Sequence, residues 1–328
     1  MVRTWESHRA SARVAIIGAD GFIGRHLAGH LAAMPPLELV LIGRQFADDV
    51  LARRCPRARL VRADMTSPEA STACAGADAV IDLAASESPQ SLAGSGQEEV
   101  AAIAASHCGF YERLAGCGVR QVVMLSSGGT VYGRSDASRI AENHPARPLS
   151  PYGTAKLMTE QGLDAAAQHA GFDHTILRAA NCYGPGQAVK RRQGLIAAIL
   201  HCYEADQPLK VAGDGTTVRD YVHVDDVVDA IVMAIDKVPG EGERINIGSG
   251  RGTSILELVD LFAAAAGRRL DVVFGPANDF DVPRNVLDIG KAARLLGWSP
   301  QVSLESGIER LLHGGTADRR PEHPRESV

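Results

Sequence analysis

The sequence predicts an α/β fold: a doubly wound parallel sheet with a smaller C-terminal lobe. Three observations predict it. Short apolar runs that read as buried strands alternate with segments of helical period through the first 180 residues. A glycine-rich turn follows the first run and opens the first helix. From Asn181 onward the alternation becomes irregular, as several short excursions would make it.

The elements follow in order. Arg13 to Gly18, RVAIIG, is an apolar run stopped by glycine and reads as a buried strand. Phe22, Ile23, Leu27 and Leu31 then recur at helical spacing, and Pro35-Pro36 stops that helix. Further strands are expected at residues 37–42, 58–61, 79–83, 121–125 and 173–177. A long helix over 97–114 carries Val100, Ile103, Ala104, Cys108, Tyr111 and Leu114 on its apolar side, and another helix spans 151–170. Beyond Asn181, helices are expected at 194–205, 225–235, 254–266 and 291–296, with extended pieces at 209–211, 218–222 and 245–247. Ser254 and Glu257 form a capping box for the third of these helices.

Composition excludes several classes. The formal charge of −5 gives no basic footprint for nucleic acid or an anionic membrane surface. No apolar run approaches the roughly 18–20 residues of a membrane span. Residues 1–12 are polar and carry Glu6, unlike a secretory signal. Cys55, Cys74, Cys108, Cys117, Cys182 and Cys202 show no C-x-x-C spacing, so they read as reduced thiols of a cytoplasmic protein.

Gly18-Ala-Asp-Gly21-Phe22-Ile23-Gly24 sits between strand and helix. Glycines suit a sharp turn, close approach of the backbone to pyrophosphate, and tight helix-on-strand packing, with the helix N-terminus facing the phosphates. This is a Rossmann dinucleotide site, expected to hold NAD or NADP. Residues 13–180 are therefore read as the NAD(P)-binding domain, rejoined by roughly 223–248. Residues 181–313 are read mainly as the substrate lobe, and 1–12 and 314–328 as tails. A carboxylate at the end of the second strand favours NAD, and an arginine there accommodates a 2′-phosphate. The tip reads Ile42-Gly43-Arg44, with no acid on that segment before Asp48. Arg44 is thus a candidate for a 2′-phosphate, or else a surface residue.

Tyr152-Gly-Thr-Ala-Lys156 opens the helix at 151–170 and follows Ser126-Ser127-Gly128-Gly129-Thr130 at the end of the fifth strand. Positions i and i+4 share a helix face, so phenol and ammonium can enter one pocket. A free phenol is a poor base at neutral pH, but a nearby cation favours its phenolate, which can exchange a proton with a sugar hydroxyl or carbonyl.

With these residues the chain resembles an extended short-chain dehydrogenase/reductase of the nucleotide-sugar epimerase/dehydratase family, typified by UDP-glucose 4-epimerase. The matching stretches run in family order: GADGFIG at 18–24, Asp64-Met65, Leu83-Ala84-Ala85, SSGGTVYG at 126–133 and YGTAK at 152–156. They continue with LRAANCYGPGQ at 177–187, GDGTTVRDYVHVDD at 213–226, INIGSG at 245–250 and LGWSP at 296–300. The resemblance implies that Asp64 and Met65 contact adenine and that Leu83, Ala84 and Ala85 face the cofactor. It implies that Tyr152 and Lys156 serve both catalysis and the cofactor. It further implies that Asn181 and Arg219 hold a substrate diphosphate, and that the helices at 97–114 and 151–170 build a homodimer. The bland alternative for Arg219 is an ion pair with Asp220, Asp225 or Asp226. His223 reads as structural.

Three departures bear on activity. The position where the family carries its third catalytic hydroxyl is Gly128, so Ser127 or Thr130 must supply it, with Ser127 preferred. An arginine expected three residues before Asp281 is Asn278, leaving Arg284 or Lys190 as substitutes. Asp82 stands where the family often has histidine. The Asp-Glu pair of the family's 4,6-dehydratases is Gly129-Thr130 here, which argues against dehydration, and the missing Glu argues against decarboxylation. Three readings remain: C4 epimerisation of a nucleotide-diphosphate sugar, then NADPH-dependent reduction of a nucleotide 4-keto-6-deoxysugar, then a catalytically inactive cofactor-binding protein.

Overall fold

The computed structural model describes residues 12–34, 37–46, 50–84, 92, 94–187, 194–237, 241–277 and 282–313. Seven strands form one parallel sheet: β1 (Arg13–Ile17), β2 (Glu38–Gly43), β3 (Arg59–Arg62), β4 (Ala79–Asp82), β5 (Gln121–Ser127), β6 (Asp173–Ala179) and β10 (Glu241–Ile247). Their order across the sheet is β10-β6-β5-β4-β1-β2-β3. The order reverses beside β1, and in a doubly wound sheet ligands bind at that switch point, outside the carboxyl ends of the strands.

Both faces of the sheet are covered, as near-continuous apolar strands require. On one face, α1 (Phe22–Ala32), α7 (Val224–Lys237) and α9 (Gly290–Leu296) bury Leu27, Leu31, Val227, Ile231 and Leu296 against Val14, Ile16, Leu39 and Leu41. On the other, α3 (Pro68–Ala73), α4 (Gln97–Leu114) and α5 (Pro151–Ala170) bury Ala70, Phe110, Tyr111 and Leu163 against Ala15, Val40, Val80 and Val122. α2 (Val50–Arg54) is a short turn of helix before β3.

The short elements beyond Asn181 build smaller sheets. β7 (Asn181–Tyr183), β9 (Val218–His223), β11 (Gly252–Ser254) and β13 (Arg284–Asn285) form one, and β8 (Leu209–Ala212) pairs with β12 (Val272–Gly275). α6 (Leu195–Ala205), α8 (Ile255–Ala266) and α10 (Leu304–Leu312) cover them around a third core with Tyr203, Phe262 and Ile308. α8 starts at the expected capping box: Ser254 Oγ accepts from Glu257 N at 3.1 Å, and Glu257 accepts from Ser254 N at 2.7 Å. Among the described residues no helix is long and apolar enough to cross a membrane, and no His/Cys/Asp/Glu cluster fits a metal ion. All six cysteines are free thiols.

Candidate active site

The glycine turn is built by its own backbone. Gly18 has φ +77°, a region that favours glycine, and a Cβ there would meet Leu83 O at 2.9 Å. Gly24 lets α1 approach the turn, because a Cβ would lie 2.2 Å from Gly18 O. Gly21 caps α1 without a side chain, so the N–H groups of the first turn have no side-chain acceptor. An open helix N-terminus at the end of β1 suits an anion.

A cleft of about 550 Å³ opens over this turn. Gly18, Gly21, Phe22, Arg44, Asp64, Met65, Leu83 and Ala84 line it. Ile23 packs on the core instead, and Gly24 acts through its closeness to Gly18. Ala85 lies outside the described residues, as do Lys190, Asn278 and Asp281. Arg44 is exposed at the cleft, next to Asp64. Hydrogen bonds from Thr66 Oγ1 at 2.7 Å and Thr66 N at 2.9 Å hold the Asp64 carboxyl below its ordinary value. The volume and the bare glycine cradle fit a dinucleotide.

Sequence reasoning missed part of the wall. Ile103, Ser106 and His107 of α4 line the cleft, as does Asp20 of the glycine turn. His107 follows Ile103 by four residues, on the same side of the helix. It is 6% exposed, and its Nδ1 lies 2.9 Å from Asp82 Oδ2. Asp82 accepts from Tyr111 OH at 2.5 Å, and its other oxygen accepts from Ala84 N at 2.9 Å. Burial raises the Asp82 pKa, but His107, Tyr111 and the Lys156 charge outweigh it and hold the carboxyl at about 2. The departure at 82 is therefore a buried carboxylate that fixes the Leu83-Ala84 backbone facing Gly18.

Ser150 caps α5, accepting from Gly153 N at 3.1 Å, with Pro151 at the first helical turn. Tyr152 is half-buried in that turn. Lys156 is 9% exposed, with Nζ 3.5 Å from Leu125 O on β5. The helix start touches the β5 turn: a Cβ on Gly153 would lie 2.6 Å from Thr130 O. Behind it, Glu160 is fully buried and accepts from Arg178 Nη2 and Ser126 Oγ at 2.6 and 2.5 Å.

The turn after β5 explains Gly128. A Cβ there would stand 2.6 Å from Leu287 Cδ1 and 2.9 Å from Arg178 O, so Leu287 fills the space of the missing side chain. Asn285 Nδ2 donates to Gly128 O at 3.2 Å from the same segment. Position 129 is open instead, 3.9 Å from both Ser127 Oγ and the Asn181 amide. Ser127 and Asn181 therefore face one space. Thr130 Oγ1 is buried without a hydrogen-bond partner.

Asn181 and Arg219 sit on paired strands. Asn181 Nδ2 donates to Asp220 O at 2.9 Å, and Arg219 Nη1 to Val282 O at 2.7 Å. Other groups engage the nearby acids. Asp220 accepts from Ser249, Gly250 and Leu287, and Asp226 from Gln301 and Val302, while Asp225 lies by His223 and Arg310. His223 is buried edge-on to Tyr183 at 5.3 Å, a packing role. Arg284 Nε donates to Ser138 O at 3.3 Å.

A parallel sheet of this strand order, with its cleft over a glycine turn at the end of β1, defines the Rossmann dinucleotide-binding class. The profile of the NAD dependent epimerase/dehydratase family matches residues 14–248, and the chain belongs to that family. It is 40% identical over 200 residues to a UDP-glucose 4-epimerase of Mycolicibacterium smegmatis, covering 61% of this chain and 63% of that protein. That match spans slightly under two thirds of the relative's length. A UDP-glucose 4-epimerase of Rhizobium meliloti is 31% identical over 90% of this chain and 94% of its own length. The crystal structure of a UDP-glucose 4-epimerase from Thermotoga maritima with UDP-glucose superposes with a TM-score of 0.84. Its identity is 30%, over 92% of this chain and 97% of that one.

Proposed function

We propose that this protein binds NAD in the glycine-lined cleft and interconverts the C4 epimers of a nucleotide-diphosphate sugar, with a UDP-hexose as the substrate class. The observation that carries the reading is the pair Tyr152 and buried Lys156 at the start of α5, beside a β5 turn with no carboxylate at 129 or 130. Such a site can exchange a proton at one hydroxyl but lacks, at 129 and 130, the carboxylates that would serve as acid and base in eliminating water. The named activities of the relatives support it.

When bound, NAD supplies the hydride acceptor and donor for C4. The phenolic oxygen of Tyr152 takes the 4-hydroxyl proton and later returns it. Lys156 stabilises the phenolate and holds the cofactor ribose. Ser127 hydrogen-bonds the reacting oxygen, and Asn181 and Arg219 grip the diphosphate, Arg219 through a charge-assisted hydrogen bond. Turnover of the 4-keto sugar from one face to the other needs no further group. Exposed Arg44 at the cleft keeps NADPH-dependent reduction of a 4-keto sugar as the second reading.

Tyr152→Phe tests the assignment. UDP-glucose to UDP-galactose conversion should fall about 10²- to 10⁴-fold while NAD binding and folding persist. A variant with near-normal kcat would remove Tyr152 from its role. The proposal includes a cytoplasmic homodimer joined through α4 and α5, which pack side by side and leave Ala101, Ala105 and Met158 exposed. Light scattering at micromolar concentration should give twice the 34.7 kDa chain mass; a monomer mass would remove that part.

A further inference from the structure

We infer that Asp20, on the glycine turn, is the carboxylate that grips the adenosine ribose and selects NAD over NADP. The inference rests on the dinucleotide reading of the cleft and deepens it. The tip of β2 carries no acid, yet the space beside it holds one. A Cβ on Gly43 would lie 2.6 Å from both Cγ and Oδ1 of Asp20 and 3.1 Å from Oδ2. Gly43 has ordinary strand backbone and no positive φ. Its lack of a side chain is therefore explained by the Asp20 carboxylate next to it.

That carboxylate is fixed. Oδ2 accepts from Gln45 N at 3.0 Å, and Arg25 Nε donates to the Asp20 carbonyl at 2.8 Å. Asp20, Gly43 and Arg44 line one end of the same cleft. In a doubly wound sheet this end receives the adenosine ribose, whose diol an acid at the strand tip accepts. The negative charge has moved from the strand to the turn, with Gly43 vacating the room. Oδ1, which has no partner from Gln45, is left to accept a ribose hydroxyl. A 2′-phosphate would instead meet the carboxylate at close range, whatever attraction Arg44 offers.

Calorimetric titration of dinucleotide-free protein with NAD⁺ and with NADP⁺ tests this. Wild type should bind NAD⁺ more tightly. Asp20→Asn keeps the shape and an acceptor for Gln45, and should weaken NAD⁺ about ten- to hundredfold while leaving NADP⁺ unchanged or tighter. Asp20→Ala combined with Gly43→Asp returns the carboxylate to the strand and should restore the NAD⁺ preference. An unchanged NAD⁺ affinity in Asp20→Asn, or an equal loss for both dinucleotides, would make Asp20 a clamp for the Gln45 turn alone. A wild-type preference for NADP⁺ abolished by Arg44→Ala would overturn the inference but not the dinucleotide site. Binding of neither dinucleotide by wild type would overturn both.

Discussion

Asp82, under the cofactor cleft, and Asp220, in the smaller sheet, are both buried carboxylates, and they are held in opposite ways. Asp82 is 2% exposed and shares its site with groups that can carry or share charge: His107, Tyr111 and, at longer range, Lys156. Asp220 is fully buried, and its acceptors serve only neutral donors: Ser249 N at 2.7 Å, Ser249 Oγ at 2.6 Å, Gly250 N at 3.1 Å and Leu287 N at 3.2 Å. The consequence is visible in their ionisation. Against the pull of burial, His107, Tyr111 and the Lys156 charge hold the Asp82 carboxyl at about 2, whereas burial pushes Asp220 above its ordinary value despite four hydrogen bonds. A carboxylate beside groups that can carry or share charge belongs to the electrostatics of a site. One ringed by neutral donors is a clamp, here tying β9 to the loop at 248–250 and to the segment whose Leu287 fills the space at Gly128.

The largest effect is expected from breaking the clamp. Asp220→Ala strands the buried N–H groups of Gly250 and Leu287 and the part-buried N–H of Ser249, each costing about 1–3 kcal/mol if left unpaired, so a net loss of about 4–5 kcal/mol is expected in denaturant titration. Asp220→Asn keeps an acceptor for Ser249 but turns an NH₂ toward Gly250 and Leu287, and should recover only part of it. A loss below about 1 kcal/mol for the alanine variant would show that water replaces the carboxylate, and the two aspartates would no longer contrast.

On the cofactor side, Asp82→Asn should cost about 1.5–3 kcal/mol, because it weakens the hydrogen bonds that a buried carboxylate makes with Tyr111 and His107. Acid titration separates the two sites by sign. Asp82 has a depressed folded pKa, so its stabilisation is complete above the ordinary value of about 4 and is lost as pH falls toward about 2. Asp220 has a raised one, so its ionised form costs stability at neutral pH and that cost is relieved as pH falls toward about 4. Tm measured between pH 7 and 2 should therefore fall less steeply below pH 4 in Asp82→Asn than in wild type. Parallel curves would mean that Asp82 is not the group titrating there.

What was legible in the sequence followed from local pattern. β1 to β6 and the helices α1, α4 and α5 announce themselves as apolar runs and stripes, and the glycine turn is readable because its three roles lie within seven residues. β7, β11 and β13 are two or three residues long and carry no period to read. α3, with sequence PEASTA, has no apolar stripe and is held by burial of its small residues. The site was unreadable wherever meaning came from distant pairing. Asp20 matters because parallel pairing of β1 with β2 sets the glycine turn beside Gly43. His107 carries no signal of its own in the sequence, because its partner Asp82 ends another strand.

The same holds for Gly128, and it yields the smallest and most specific test. Its neighbour Leu287 comes from the C-terminal segment, which is tied in place by Ile140 N to Val286 O at 2.8 Å and Asp288 N to Ile140 O at 2.9 Å. If Leu287 occupies the room of a lost side chain, the two positions are energetically coupled. Gly128→Ser alone forces the new Cβ onto Leu287 and onto the Arg178 carbonyl, an overpacking cost of about 1–3 kcal/mol. Leu287→Ala alone opens a cavity and costs about 2–3 kcal/mol. Combined, the serine should refill part of that cavity, leaving the double variant about 1 kcal/mol more stable than the sum of the single losses. The contact with the Arg178 carbonyl remains, so full recovery is not expected. A double-mutant cycle on stability reads the coupling, and kcat for each variant reads the chemistry. Additive losses would show that Leu287 and Gly128 do not share one space. A coupled pair whose kcat exceeds that of Leu287→Ala would show that a hydroxyl at 128 can take over from Ser127, whereas unchanged kcat would leave that role with Ser127 or Thr130.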